Sequence, residues 1–143
     1  MFMDKEGIKK IIPHRDPMLL IDEVTEMEFE KNIKTKFFVS PNREIFKGHF
    51  PSEPVLPGVY TVEIMAQTSD VLILSCERYA NTIPLFIGID KVKFIRKISP
   101  GDTIIITSEI ISEKTEKAIV TCEAKVYNHG ELACVGNVTL AMR

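Results

Sequence analysis

The strongest constraint on the fold is a helix that cannot lie on a surface. The chain reads as helical from about Val59 to Tyr79, with Val59, Val62, Met65, Ala66, Ser69, Leu72, Ile73 and Cys76 on one broad stripe. Ile64, Val71 and Leu74 carry the apolar surface further round. A helix apolar on most of its sides is a buried helix. Pro57 and Gly58 set its start, since proline suits a first turn and glycine lets another group approach the backbone closely. The rest of the chain has to enclose this segment. One curved sheet covers only one side of it, so pairing with a second copy is the expected way to cover the other.

The flanking sequence reads mostly as that sheet. A short helix over Lys5 to Ile12 is stopped by Pro13. Met18 to Val24 and Asn32 to Val39 read as strands, the second closed by Ser40-Pro41-Asn42. A loop from Arg43 to Pro57 leads into the central helix. Beyond a turn at Asn81-Thr82, strand signals follow over Pro84 to Lys97, Thr103 to Ile111, Ala118 to Tyr127 and Leu132 to Met142. They are separated by Pro100-Gly101-Asp102, by the polar stretch Glu113 to Lys117, and by the hairpin signal Asn128-His129-Gly130. Consecutive strands joined by short turns predict an antiparallel sheet, and the whole is an α+β domain with the sheet wrapped around one helix.

At 143 residues the chain reads as one domain, residues 1–143, able to bury a sizeable core. A net charge of −2 gives no sign of a nucleic-acid protein. No apolar run approaches the roughly 20 residues of a membrane-spanning helix. Charges at the N-terminus stand where a signal peptide needs its apolar segment, so the expected location is cytoplasmic. Cys76, Cys122 and Cys134 are odd in number and widely spaced, without a C-x-x-C pair, and read as buried reduced thiols.

The chemistry concentrates between Gly48 and Gln67, GHFPSEPVLPGVYTVEIMAQ. Pro51, Pro54 and Pro57 stiffen a loop that presents His49, and a single carboxylate, Glu63, follows on the apolar helix. Imidazole is the side chain with a pKa closest to working pH, which suits His49 to act as a base. A carboxyl on an apolar helix is pushed toward its protonated form, which suits Glu63 to act as an acid. Each residue also has an ordinary reading. His49 can be a packing residue, and Glu63 can pair with a basic residue of the sheet, because an unpaired buried carboxylate is costly. Asp70, two turns beyond Glu63, reads as structural or as a partner to nearby polar groups. His14 beside Arg15 reads as structural, and His129 in its hairpin turn as solvated.

Gly48-His49-Phe50-Pro51, Pro54 to Val59 and Glu63 to Gln67 resemble the signature of the (3R)-hydroxyacyl-acyl-carrier-protein dehydratases of FabZ type. Ile12 to Asp22 (IPHRDPMLLID), Gly88 to Phe94 (GIDKVKF) and Pro100-Gly101-Asp102 extend the resemblance over almost the whole chain. It implies a hot-dog fold, a long helix wrapped by a curved antiparallel sheet and paired as a dimer, often as a trimer of dimers. It further implies an acyl tunnel at the dimer interface, with His49 of one subunit as base facing Glu63 of the other as acid. The backbone N–H of Gly58 then serves as donor to the thioester oxygen, and no cofactor is required. The implied partner is an acidic acyl carrier protein, and Lys91, Lys93, Arg96, Lys97, Arg43 and Lys47 are the basic residues near enough in sequence to dock it. The chain departs from the family pattern at Ser52-Glu53, usually Gly-Arg. It departs again at Tyr60, usually aliphatic, and at Thr68-Ser69-Asp70, usually a small Ala/Gly-rich segment.

The expected reaction is dehydration of (3R)-3-hydroxyacyl thioesters to trans-2-enoyl thioesters. Three alternatives remain open: a dehydratase that also isomerises the trans-2 to the cis-3 double bond, a hot-dog acyl thioesterase, and a non-catalytic acyl-binding or dimerisation module.

Overall fold

The β5 strand, Ile119–Asn128, sets the pattern of the sheet: Val120, Cys122, Ala124, Val126 and Asn128 point inward while their neighbours face outward. That period of two makes one face of the sheet apolar and leaves the other for solvent. A computed structural model describes residues 1–143. It contains α1 (Lys5–Lys9), β1 (Glu23–Glu28), β2 (Asn32–Phe38), the long helix α2 (Gly58–Leu74), β3 (Pro84–Phe94), β4 (Thr103–Lys114), β5 and β6 (Glu131–Met142). The six strands form one sheet in the order β1-β2-β4-β5-β6-β3, antiparallel throughout. Its inner face packs on α2 through Phe37, Ile104, Ile106, Val126 and Leu140. This is the hot-dog architecture. No helix is long and apolar enough to cross a membrane.

The turns follow their residues. His129 and Gly130 both have positive φ, 53° and 77°, as a tight hairpin requires. Asp102 ties that hairpin to the Ser99–Asp102 turn by accepting from the Ser99 N–H and the Asn128 amide, both at 2.8 Å. His129 is exposed as expected, and its Nε2 lies 3.2 Å from Asp102. All three cysteines are free and buried.

Four expectations change. The first strand begins at Glu23, not Met18. Leu19, Leu20 and Ile21 are buried consecutively. An edge strand with one wet face must alternate, so these three instead run as an irregular extended segment against α2. Second, that segment, with Ile8 and Ile12, supplies the other cover for α2. From Thr61 to Leu74 the helix is buried within one chain, apart from Glu63, so enclosing it does not need a second copy. Val59, by contrast, is 75% exposed. Third, α2 ends at Leu74 rather than Tyr79. The Ser75 hydroxyl bonds back to the Val71 carbonyl at 2.6 Å, and Cys76 turns extended. Glu77–Tyr79 then forms a separate 3-10 turn, held by Arg78 and Tyr79 on the Glu113 carboxylate. Fourth, β3 stops at Phe94 after a bulge between Asp90 and Lys93, so Arg96 and Lys97 lie beyond it.

Candidate active site

The loop carrying His49 is closed on itself. A 3-10 turn, Glu44–Lys47, receives the His49 N–H on the Ile45 carbonyl at 3.1 Å. The Val55 N–H returns to the His49 carbonyl at 3.1 Å, and the Leu56 N–H pins the loop to Ile98 at 2.8 Å. Nδ1 of His49 lies 3.0 Å from the Val55 carbonyl oxygen, and the ring stacks on Phe50 at 4.1 Å. A carbonyl oxygen can only accept, so Nδ1 donates, and in the neutral ring Nε2 is the nitrogen that carries the lone pair. The loop therefore fixes both the orientation and the tautomer of the imidazole.

His49 lines a cleft of about 420 Å³ with Val55, Gly58, Thr61, Phe94 and Ile98. Gly58 opens α2, so its N–H has no intrahelical acceptor. A Cβ there would lie 3.0 Å from Cε1 and Cζ of Phe94, which makes glycine the residue that leaves this helix end open beside the ring. One cleft thus holds a poised imidazole and a free N–H donor. These are two of the three expected site residues.

Glu63 does not line this cleft. At about 100° per residue, five residues carry Glu63 some 140° around α2 from Gly58. Its side chain is 23% exposed on another side of the helix, where Gln67 donates to its Oε2 at 2.8 Å. The Gln67 amide is oriented by backbone: its Oε1 accepts from the Leu20 N–H at 2.8 Å, and its Nε2 also donates to the Met18 carbonyl at 2.8 Å. Because Oε2 of Glu63 accepts an N–H, the proton of the acid form belongs on Oε1. The sequence motif ends on Gln67 and assigns it no role. Its i,i+4 spacing from Glu63 was the available signal.

The same stripe continues one turn further to Asp70, since seven residues return to the same face. Two turns along is therefore beside Glu63, not away from it. Nε2 of His14 sits 3.8 Å from Glu63 Oε2 and 3.7 Å from Asp70 Oδ2. His14 thus packs against both acids of this face. Burial, with the Glu63 charge in addition, holds the Asp70 carboxyl well above the ordinary carboxylate range. Burial lowers the His14 imidazole, outweighing the upward pull of Glu63. Thr68 and Ser69 complete a polar seam, bonding Thr35 at 2.8 Å and Ser108 at 2.7 Å.

Of the basic residues, Lys97 pairs with Glu53 at 2.8 Å and Arg96 with Glu131 at 2.9 Å, whereas Lys91 and Lys93 are exposed without an ion pair. The acid that departs from the family pattern at position 53 therefore neutralises Lys97 beside the His49 loop. Lys47 pairs with Glu44, and Arg43 lies over the Phe37 ring at 4.9 Å.

A family model described as "FabA-like domain" matches residues 12–137. The 3-hydroxyacyl-[acyl-carrier-protein] dehydratase FabZ of Clostridium beijerinckii is 47% identical over 138 residues, covering 95% of this chain and 96% of that protein. The protein of the same name from Caldicellulosiruptor saccharolyticus is 43% identical over 140 residues, 98% of this chain and 99% of the relative. Among solved structures, the dehydratase heterocomplex ApeI:P from Xenorhabdus doucetiae superposes with a TM-score of 0.77 at 17% identity, over 95% of this chain and 90% of that one. A hypothetical thioesterase from Streptococcus pneumoniae, solved with coenzyme A, gives 0.65 at 12% identity over 85% and 84%. At such identities the structures speak to the fold alone. With the hot-dog architecture, the histidine loop and the FabA-like match in place, the chain belongs to the FabA-like family, alongside the FabZ dehydratases.

Proposed function

We propose that the protein, a single catalytic domain over residues 1–143, converts (3R)-3-hydroxyacyl thioesters on acyl carrier protein to trans-2-enoyl thioesters in cytoplasmic fatty-acid synthesis. The observation that carries this reading is the cleft in which Nε2 of His49, left free by the Nδ1–Val55 bond, shares a wall with the open start of α2 at Gly58. The thioester carbonyl accepts from the Gly58 N–H, which stabilises the enolate-like charge that forms when the α-proton leaves. Nε2 of His49 takes that proton. Glu63 gives its Oε1 proton to the departing hydroxyl, which leaves as water, and the electron pair of the broken C–H bond becomes the new C=C bond.

Within one chain Glu63 faces away from this cleft, so the acid comes from a second copy. The free edge of the sheet supports that arrangement. β3 has no outer neighbour, and its Leu85, Ile87 and Ile89 are all exposed. A long apolar edge is a template for pairing with another strand. Homodimerisation along β3 would place one α2 near the start of the other. Lys91 and Lys93 on the same strand offer charge to an acidic carrier protein. Light scattering distinguishes a dimer from a trimer of dimers.

The test incubates the protein with 3-hydroxybutyryl carrier protein and follows enoyl absorbance beside free thiol. Enoyl product without thiol, abolished in His49→Ala and Glu63→Gln, is expected. Thiol release would assign hydrolysis instead, absence of both a binding module, and a cis-3 product added isomerase activity.

A further inference from the structure

Asp70 is the one fully buried acid of α2, and the reaction above does not use it. Its Oδ1 has no hydrogen-bond partner, and neither does Nδ1 of His14. The basic group facing Asp70 is Nε2 of His14, 3.7 Å from Oδ2, and the same nitrogen is 3.8 Å from Oε2 of Glu63. One imidazole nitrogen therefore stands between a buried acid and the carboxyl assigned to protonate the leaving group.

We propose that Asp70 is a positioning residue: as a carboxylic acid it donates its O–H to Nε2 of His14, and so prevents that nitrogen from taking the catalytic proton of Glu63. The inference rests on Glu63 acting as the acid. A neutral imidazole offers one lone pair, and one lone pair accepts one O–H. A shift of under about 1 Å brings Asp70 into hydrogen-bond range of it. With Nε2 vacant, the Glu63 proton can cross to it. The proton leaves the carboxyl, the nitrogen gains it, and a carboxylate–imidazolium pair remains that cannot protonate a leaving hydroxide. With Nε2 occupied, and Gln67 donating to Oε2, the Glu63 proton stays on Oε1 for the substrate.

The neighbouring groups favour this distribution. Asp70 keeps its proton because it is buried. His14 resists a second proton because of burial, and the Arg15 guanidinium beside it acts in the same direction. Arg15 itself is bound to the Lys9, Ile12 and His14 carbonyls. From β5 the titratable neighbour is Cys122, whose thiol is pushed up to about 11 and stays neutral. No cation faces Asp70 to hold it ionised.

The test reads the His14 ring nitrogens by ¹⁵N NMR at pH 7, together with kcat. In the wild type His14 should be neutral, with its proton on Nδ1. Asp70→Asn places an amide N–H donor on the same nitrogen, and should keep that spectrum and most of the activity. Asp70→Leu removes the donor and keeps the branching at Cγ, with two methyl groups in place of the oxygens. His14 should then titrate as imidazolium near neutrality and kcat should fall about 10- to 100-fold. Adding His14→Phe removes the competing nitrogen and should recover much of that loss. An Nε2-protonated or charged His14 in the wild type overturns the proposal, as does a Leu variant that His14→Phe does not relieve. The wild-type and Asn spectra decide the matter even if the Leu variant fails to fold. Activity surviving Glu63→Gln would instead remove the acid assignment, a separate failure.

Discussion

Replacing Asp70 by asparagine should change how the stability of the fold depends on pH, and the size of the change follows from one proton. Asp70 is 2% exposed, and its carboxyl is held well above the ordinary range by burial and the Glu63 charge. In the unfolded chain it ionises near pH 3.9. Between that pH and the raised folded value, unfolding releases one proton. The unfolding free energy therefore falls by about 1.4 kcal/mol for each pH unit. Because the folded pKa is raised, the stabilising contribution is complete below about pH 4 and is lost progressively as pH rises through the folded value. Asparagine does not titrate, and groups remote from position 70 are common to both proteins and cancel in the difference. Urea unfolding of both proteins at pH 4.5, 5.5 and 6.5, at one fixed protein concentration, provides the comparison. The wild type should lose stability relative to Asp70→Asn as pH rises, by at most about 1.4 kcal/mol per unit and only up to the folded pKa. Parallel curves would show Asp70 ionised in the fold and refute the reading of the seam behind Glu63.

Three further outcomes follow from the same contacts. Gly58→Ala puts a Cβ 3.0 Å from the Phe94 ring and into the path of the thioester, and should lower kcat/KM by about 100-fold with little change in Tm. Gln67→Leu frees the Glu63 carboxyl and strands the Leu20 N–H and Met18 carbonyl. It should cost about 2 kcal/mol or more in chemical denaturation and reduce kcat more than it changes KM. Cys122 and Cys134, pushed up to about 11 by burial, should resist a thiol reagent at pH 8 until the protein unfolds. Their contribution to stability declines only as pH rises from about 8.5 toward 11.

Where the sequence was legible, the reason is periodicity. The alternation of β5 and the all-round apolar character of α2 identify a sheet around a buried helix. The prolines and the histidine between Gly48 and Pro57 mark a rigid loop. What escaped is what periodicity does not encode. Leu19, Leu20 and Ile21 read as a strand because three successive apolar residues suit a sheet buried on both faces, but they lie unpaired against α2. The end of α2 at Leu74 has no proline or glycine to announce it, only a serine bonding back to Val71. From the sequence, a helix apolar on most sides calls for a second cover and hence a dimer. The N-terminal segment provides that cover, and the case for pairing rests instead on the bare β3 edge and on the separation of His49 from Glu63. Asp70 reads from the sequence as structural or as a partner to nearby polar groups, and lying two turns beyond Glu63 it shares that residue's face of the helix. Its partnership with His14, 56 positions earlier in the chain, could only come from the fold.

The central claim is that base and acid of one site belong to different chains, and mixing two inactive variants tests it most directly. His49→Ala and Glu63→Gln, unfolded together and refolded at equal concentration, form mixed dimers in about half of all pairings. Each mixed dimer regains one intact site of two, so the dehydration rate should return to about a quarter of the wild-type value. A mixture that stays as inactive as its components would place His49 and Glu63 in the same chain's site and contradict the account.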